Sequence, residues 1–125
     1  MILLTSELHE RLLANGRHRD VDHVPVVKFF NPLGAATWLA TELAEDGDTL
    51  HGLADLCFGC PELGAFSLSE MASIRLPLGL GIERDLWFEG KFPLSVYAAA
   101  ARTAGQIVLD DDRLEAAADA LRQTK

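Results

Sequence analysis

Hydrophobic and polar residues alternate along the chain with two periods, that of an α-helix and that of a β-strand. Near the start, Leu8, Leu12 and Leu13 recur at helical spacing, after a Thr-Ser pair that can cap a helix and before an Asn-Gly pair that can end one. This spacing predicts a helix over 6–14.

Five later runs carry the apolar, β-branched and aromatic residues typical of strands, and turn-forming residues separate them. They predict strands over 24–30, 36–43, 50–56, 62–68 and 82–88. The second run also fits a helix, because Trp38, Leu39 and Leu43 lie on one helical face. Its short length and its flanking turns favour a strand. Trp38, Trp87 and most of the phenylalanines fall within these runs, which predicts that they fill a core.

Three more helices follow from the pattern. A serine can cap a short helix through 71–74, and Pro93 can open another over 94–102. The acidic run 110–112 can cap a terminal helix that carries a narrow apolar stripe. That last helix docks on the core, binds a partner or frays, and the sequence leaves these three alternatives open.

The order of the elements is a helix, several strands, a helix, a strand and two helices, with short connections and no βαβ alternation. It predicts a single-domain α+β fold, with an antiparallel or mixed sheet of about four to five strands and helices packed on it. The candidate boundary lies near 103–107. It separates a compact α+β domain at 1–102 from an acidic C-terminal helical extension at 103–125.

Acidic groups outnumber basic ones, and the 125 residues carry a formal net charge of −8. A negative field repels phosphate backbones and anionic membrane surfaces, so we expect neither direct nucleic-acid binding nor membrane association. It suits a partner with a basic surface. The acids predicted to contact such a partner are Glu42, Glu45, Asp46, Asp48, Asp110, Asp111 and Asp112.

The chain opens on a short apolar stretch that lacks both the basic flank and the length of a secretory signal. No run approaches the roughly 18 continuous apolar residues of a membrane span. These features predict a cytoplasmic protein in which Cys57 and Cys60 stay reduced. Whether the protein is a monomer or a homodimer stays open at this point.

Cys57 and Cys60 form a CxxC pair, which can supply half of a tetrahedral zinc site or a redox disulfide. His51 and His23 are available as further zinc ligands, but neither lies in a second ligand pair. A redox CxxC sits at a strand-to-helix turn, whereas this pair falls between two predicted strands. We therefore expect no metal and no cofactor, and the metal candidates to check are Cys57, Cys60 and His51.

Four acids, Asp55, Glu62, Glu83 and Asp85, fall on neighbouring predicted strands and could meet on one face of the sheet. Paired carboxylates can transfer protons or bind magnesium. Strand alternation gives the other interpretation, in which Glu83 and Asp85 share a face and form ion pairs with cross-strand basic residues. The sequence favours this structural role, and no nucleophile motif accompanies the histidines.

Four blocks of the sequence resemble the bacterial DUF2958 family, and in order they are LLTSELHERLLANGR, DHVPVVKFFNPLGAATWLATEL, PELGAFSLSEM and GIERDLWFEGKFPLSVYAAAAR. The resemblance covers about residues 2–102. It implies a setting on plasmids, phages and conjugative elements. It also implies a polar site, with roles unassigned, at matching positions: Lys28, Asp55, Glu62, Glu83, Arg84 and Asp85.

The chain departs from the family pattern at two positions. Ala54 stands where a cysteine is usual, and His51 stands where an aromatic residue is usual. Cys57 and Cys60 are not hallmarks of the family. These departures weaken the zinc and redox interpretations of the CxxC pair.

Three functions are compatible with these features. The first is a small acidic binding protein of a mobile element that occupies a basic surface of a host protein, as anti-CRISPR and anti-restriction proteins do. The second is an enzyme or enzyme-accessory domain with a carboxylate-rich site. The third is a structural accessory protein in conjugation or replication. The charge, the small size and the missing catalytic motif favour the first, which is not an enzyme.

Overall fold

The computed structural model of the chain describes residues 2–123, which contain four α-helices and five strands. The helices are α1 (Ser6–Gly16), α2 (Leu68–Ser73), α3 (Leu94–Ala104) and α4 (Asp111–Gln123). The strands are β1 (Val27–Phe30), β2 (Thr37–Leu43), β3 (Thr49–Asp55), β4 (Glu62–Ser67) and β5 (Glu83–Arg84). Within residues 2–123, none of the helices has the length and apolar character that crossing a bilayer requires.

The five strands form one antiparallel sheet in the order β4-β3-β2-β1-β5. Strands β1 to β4 pair with their neighbours along the chain, and β5 pairs with the free side of β1. The predicted fold class, a single α+β domain on an antiparallel sheet, is confirmed. The strands predicted at 36–43, 50–56 and 62–68 correspond to β2, β3 and β4, and the helical alternative for the first of these is wrong.

Apolar side chains leave the sheet on both faces and meet helices there. On one face, which we call the α1 face, Phe29 and Trp38 pack in a cluster with Leu12 of α1. On the other, the α3 face, Leu39 and Leu53 pack with α3 and α4. Strand β2 is therefore buried on both faces, which explains why its sequence lacks the alternation of a half-exposed strand.

Strand β2 carries one extra residue opposite β3, at Thr41. The Thr41 hydroxyl donates to the carbonyl of His51 at 3.2 Å, and the Thr41 carbonyl accepts from the side chain of Asn15, near the end of α1, at 3.0 Å. The extra residue shifts the alternation of β2, so that Leu43 returns to the α1 face. The bulge thus ties α1 to the sheet and keeps the apolar cluster on the α1 face continuous.

The C-terminal helix docks on the core. Leu114 and Ala118 of α4 are buried in the cluster that covers the α3 face. The carboxylate of Asp110 accepts the backbone N–H of Arg113 at 3.2 Å and so caps the helix. Docking is therefore what the structure shows among the three alternatives, while the domain boundary predicted before this helix stays a prediction.

The strand predicted at 24–30 begins only at Val27. Pro25 has no N–H to donate to a ladder, which removes the first part of the run from regular pairing. Val26 still donates to the carbonyl of Ala40 at 2.9 Å, so the segment stays beside β2 without being a strand.

The strand predicted at 82–88 is confined to β5, which has two residues. After it, the side chain of Asp85 accepts the backbone N–H of Trp87 at 2.9 Å and forms a turn in place of a longer ladder. The prediction that Trp87 belongs to the core is wrong, because this side chain is 93% exposed.

Gly52 on β3 tests how closely β2 and β3 approach. A Cβ at this position would lie 1.9 Å from the carbonyl oxygen of Leu39, so the strands would have to separate. We expect Gly52→Ala to lower the free energy of unfolding by about 3 kcal/mol, measured by urea denaturation. Gly64 is the paired glycine on β4, where a Cβ would meet open space. Gly64→Ala is therefore the control, expected to change this free energy by less than about 0.5 kcal/mol, and equal effects would contradict the close approach.

Candidate functional site

A shallow hollow of about 310 Å³ opens on the α3 face beside β1 and β5. Lys28 and Phe30 reach it because they alternate along β1 with the buried Val27 and Phe29. The ammonium of Lys28 lies 3.3 Å from a carboxylate oxygen of Asp85 and 5.7 Å from the centre of the Phe30 ring. Both charged groups are partly buried, so water screens their attraction less than it screens a surface ion pair.

The turn after β5 places large side chains at the rim of this hollow. One carboxylate oxygen of Asp85 accepts the N–H of Trp87, while the other faces Lys28. The turn leaves Leu86 63% exposed and Trp87 93% exposed. A second hollow of about 320 Å³ adjoins the first, since Asp85 and Trp87 line both. Arg84, Phe88 and Tyr97 also line the hollows, and we call the other nine lining residues the Trp87 surface: Lys28, Phe30, Glu83, Asp85, Leu86, Trp87, Glu89, Lys91 and Leu109.

The charges of the Trp87 surface are unevenly compensated. Its lysines are paired, Lys28 with Asp85 and Lys91 with Asp111, the latter at 3.3 Å. Within residues 2–123, the carboxylates of its other two acids, at positions 83 and 89, make no hydrogen bond and no ion pair. An approaching cationic group would therefore meet two acids that form no ion pair with any residue of the described part of the chain.

Of the six residues of the predicted polar site, Lys28, Glu83, Arg84 and Asp85 line one hollow, whereas Asp55 and Glu62 lie elsewhere. Lys28, Glu83 and Asp85 meet in the Trp87 surface. Arg84 lies between the two acids along the chain but turns to the α1 side, where its guanidinium donates to the carbonyls of residues 2 and 3 at 3.1 and 2.9 Å. This is the alternation expected of a strand, with Arg84 opposite in direction to its two acidic neighbours.

Asp55 is a buried acid at the end of β3, 5% exposed. One of its oxygens accepts the backbone N–H of Cys57 and the other accepts that of Ile107, each at 3.0 Å. The first hydrogen bond shapes the loop after β3. The second holds the segment between α3 and α4 against the end of the sheet. Both oxygens are thus used for architecture.

Glu62 begins β4 and is exposed. Because β4 and β5 form opposite edges of the sheet, Glu62 lies far from Glu83 and Asp85. Proton transfer between two carboxylates, or a shared cation, requires acids that lie close together. Only Glu83 and Asp85 share a location, and Asp85 is already paired with Lys28.

The metal candidates are also separated from one another. Cys57 and Cys60 lie exposed and unbridged in the loop after β3. His51 lies within β3, where its Nδ1 is 3.3 Å from the guanidinium of Arg19. In the part of the chain that the structure describes, no group of three or more His, Cys, Asp or Glu side chains is arranged to hold a metal ion.

Two predicted partner-binding acids pair with arginines of the protein itself. Glu42 is 2.9 Å from Arg19, and its side chain is nearly buried. Glu45 is 2.6 Å from Arg17, and this hydrogen bond and charge lower the pKa of Glu45. Both pairs join the connection after α1 to the hairpin between β2 and β3.

The two aspartates of the same hairpin accept hydrogen bonds within it. The hydroxyl of Thr49 donates to Asp46 at 2.7 Å, and two backbone N–H groups add to it, so that the pKa of Asp46 is lowered from 3.8 to about 2. Asp48 accepts from the hydroxyl of Ser67 at 2.7 Å and from the N–H of Ser69 at 2.8 Å, which lowers its pKa and anchors the start of α2.

The acidic run 110–112 has three different roles. Asp110 caps α4, Asp111 pairs with Lys91, and Asp112 has no side-chain partner within residues 2–123. Ile107, three residues before this run, donates its backbone N–H to Asp55, the last residue of β3. Asp46 of the hairpin instead accepts hydrogen bonds from Thr49, the first residue of β3. The two predicted groups of acids therefore lie toward opposite ends of β3.

Sequence reasoning missed Trp87 as a surface residue. The pattern around it is that of a strand, and a tryptophan in such a run is usually buried. One signal was available, because Asp85 stands two residues before Trp87 and an aspartate can accept the N–H of the second residue after it, which forms a turn.

A family model described as "Protein of unknown function (DUF2958)" matches residues 3–108 of the chain. The chain belongs to the DUF2958 family. The matched region contains the whole sheet together with Lys28, Asp85 and Trp87. No curated protein and no solved structure matches the chain. The expected resemblance is thus confirmed, and the mobile-element setting of DUF2958 proteins stays a prediction.

Asp55 gives a stability test in this DUF2958 protein. Asp55→Asn keeps the size of the side chain but replaces one acceptor oxygen with an NH₂ group, so the N–H of Cys57 or of Ile107 loses its partner. We expect the free energy of unfolding to fall by about 1–3 kcal/mol, with faster amide hydrogen exchange over 105–110. The exposed Glu62→Gln is the control, expected to change it by less than about 0.5 kcal/mol. Wild-type stability of Asp55→Asn would contradict the anchoring role.

Asp46 gives the DUF2958 protein a pH dependence of defined sign. The unfolded chain takes up this proton near pH 3.8, whereas the folded protein takes it up only near pH 2. The contribution of this carboxylate to stability is therefore present above pH 3.8 and is lost as the pH falls to about 2. Asp46→Asn should flatten the fall of the urea midpoint over this interval. Asp112→Asn should retain the wild-type slope, and a wild-type slope for Asp46→Asn would contradict the assignment.

Proposed function

We propose that this DUF2958 protein is a non-enzymatic binding module that engages another protein through the Trp87 surface. The observation that carries the proposal is the exposure of Trp87, beside a largely exposed Leu86. Covering an indole ring releases a large apolar area from water, and tryptophan is among the residues most enriched at the energetic centres of protein interfaces. Contacts with the Trp87 ring would therefore supply much of the free energy of binding to a partner that covers it.

The support beneath Trp87 favours binding. The backbone N–H of Trp87 is held by Asp85, and Asp85 is held by Lys28, whose ammonium also lies near the ring of Phe30. The turn is therefore shaped before a partner arrives, so less conformational entropy is lost on association.

The charge around Trp87 favours a basic partner. Glu83 and Glu89 lack a neutralising group within residues 2–123, and the whole chain carries −8. A negative surface attracts a basic one during diffusion and orients it before contact. The hairpin acids lie toward the other end of the sheet and accept hydrogen bonds from the protein itself.

The partner class that we propose is a host protein with a basic surface, and the role is counter-defence of the anti-CRISPR or anti-restriction type in the cytoplasm. Support for this setting comes from the mobile-element context that the family resemblance implies. The distance of Asp55 and Glu62 from Asp85 supports a binding role over carboxylate chemistry.

Trp87→Ala tests the proposal directly. The partner would be recovered from a host lysate and identified by mass spectrometry, and its purified form titrated by calorimetry. We expect Trp87→Ala to raise Kd about 30-fold or more, because a central tryptophan contributes on the order of 2 kcal/mol or more. The matched control is Phe58→Ala, since Phe58 is 85% exposed in the loop after β3, outside the Trp87 surface. Equal affinities of the two variants for the partner would contradict the proposal.

The charge component has its own readout in the same assay. Glu83→Gln combined with Glu89→Gln should slow association and flatten the dependence of the rate on salt, while Trp87→Ala should mainly speed dissociation. An unchanged salt dependence would remove the basic partner from the proposal and leave only the apolar contact.

A further inference from the structure

Strand β4 is an edge of the sheet whose outer side is open. Its first four residues are exposed, and a Cβ at Gly64 would meet open space. Within residues 2–123, no backbone hydrogen bond reaches the outer side of β4. A six-residue edge strand without lysine, internal proline or bulge is a template for another strand.

The pairing of β4 with β3 shows which backbone groups point outward. In an antiparallel ladder, residues that bond the neighbouring strand alternate with residues whose N–H and C=O point away from it. At the start of this ladder, the N–H of Leu68 donates to the carbonyl of Asp48 at 2.9 Å. Counting back from Leu68 in steps of two residues, the residues that bond to β3 are Phe66, Gly64 and Glu62. The outward groups therefore belong to Leu63, Ala65 and Ser67.

We propose that β4 pairs with β4 of a second copy of this chain, antiparallel and about a two-fold axis at Ala65. In this register Ala65 lies opposite Ala65 of the second copy, and Leu63 lies opposite Ser67. Every outward N–H and C=O of the two strands then has a partner. A register centred on Gly64 would instead place Ser67 opposite Pro61, which has no N–H to donate.

The side chains fit the same register. Phe66 lies opposite Gly64 of the second copy on the α1 face, in a pair where side chains approach closely, and an aromatic ring over a glycine stabilises a strand edge. Glu62 is the single charge of β4 and lies opposite Leu68, so no like charges oppose each other. Helix α2 leaves the edge accessible, because Met71 is buried in the cluster on the α1 face.

We choose a second copy over an unrelated strand because the β4 edge is complementary to itself. This choice also predicts how the affinity of the dimer depends on salt concentration. Each copy carries −8, so the two copies repel, and salt should tighten the dimer by screening that repulsion. The basic partner proposed for the Trp87 surface should behave in the opposite way. The dimer is independent of that proposal, and the two can fail separately.

Sedimentation velocity on the reduced full chain is the first measurement. We expect a reversible dimer whose Kd falls as salt is raised. Ala65→Pro removes an outward N–H without removing a bond to β3, so it should raise Kd at least about tenfold while circular dichroism stays that of the wild type. Ala65→Lys is the second variant, because it sets two like charges opposite each other at the axis and should weaken the dimer similarly.

Cysteine cross-linking in a Cys57→Ser, Cys60→Ser background then tests the register. Opposed Cα atoms in such a pair are about 5.5 Å apart, within the range of a disulfide, so Ala65→Cys should cross-link on oxidation. Leu63→Cys is the control, since its two copies are offset by four residues, about 13 Å, and should not cross-link. The proposal is overturned by a wild type that stays monomeric at all concentrations and salts, by a dimer that tolerates both Ala65 variants, or by cross-linking at Leu63 but not at Ala65.

Discussion

Burial of β2 on both faces is the constraint on which the rest of the structure depends. All of β2 except Thr37 is buried, so apolar cover is needed above and below the same strand. Helix α1 provides it on one face, and α3 with α4 on the other. The two covers are coupled through the bulge at Thr41, which sends Leu43 to the α1 face, and through the glycine at position 52, which lets β3 approach β2. Any change that moves β2 therefore disturbs both clusters together.

Carboxylates fix much of what lies outside the sheet. Asp22 accepts from the N–H and hydroxyl of Ser95 at 3.1 and 2.5 Å, so it joins the connection after α1 to the start of α3. Asp55 and Asp85 shape two loops in the same way, through backbone N–H groups. Much of the acidity of this protein is therefore architectural. Other acids have no side-chain partner within residues 2–123, and of these Glu83 and Glu89 lie beside an exposed tryptophan.

The sequence predicts most of the strands because their information is local. Turn residues bracket β2, β3 and β4, and consecutive pairing along the chain then gives the order of four of the five strands. The length of β5 could not be predicted from the sequence, because a side-chain hydrogen bond of Asp85 competes there with continued pairing to β1. The anchoring role of Asp55 was also beyond reach, since its partner at Ile107 is 52 residues away along the chain. Strand alternation predicts that Glu83 and Asp85 face one way and Arg84 the other. It does not predict that Trp87 is exposed beside them.

The two edge strands of the sheet differ in length and in accessibility, and this difference links the two proposals. The β5 edge is short, and Arg84 fastens it to the N-terminal segment. The β4 edge is longer and open. A two-fold axis perpendicular to the sheet keeps the α3 faces of both copies on the same side, so a β4-paired dimer would present two Trp87 surfaces in one direction, at the far margins of a joined sheet. A partner with repeated basic sites could then be held at both, and the second contact would form at a high effective concentration. The open edge at β4 and the proposed binding surface beside β5 would therefore act together, since pairing at the edge would offer one partner two surfaces.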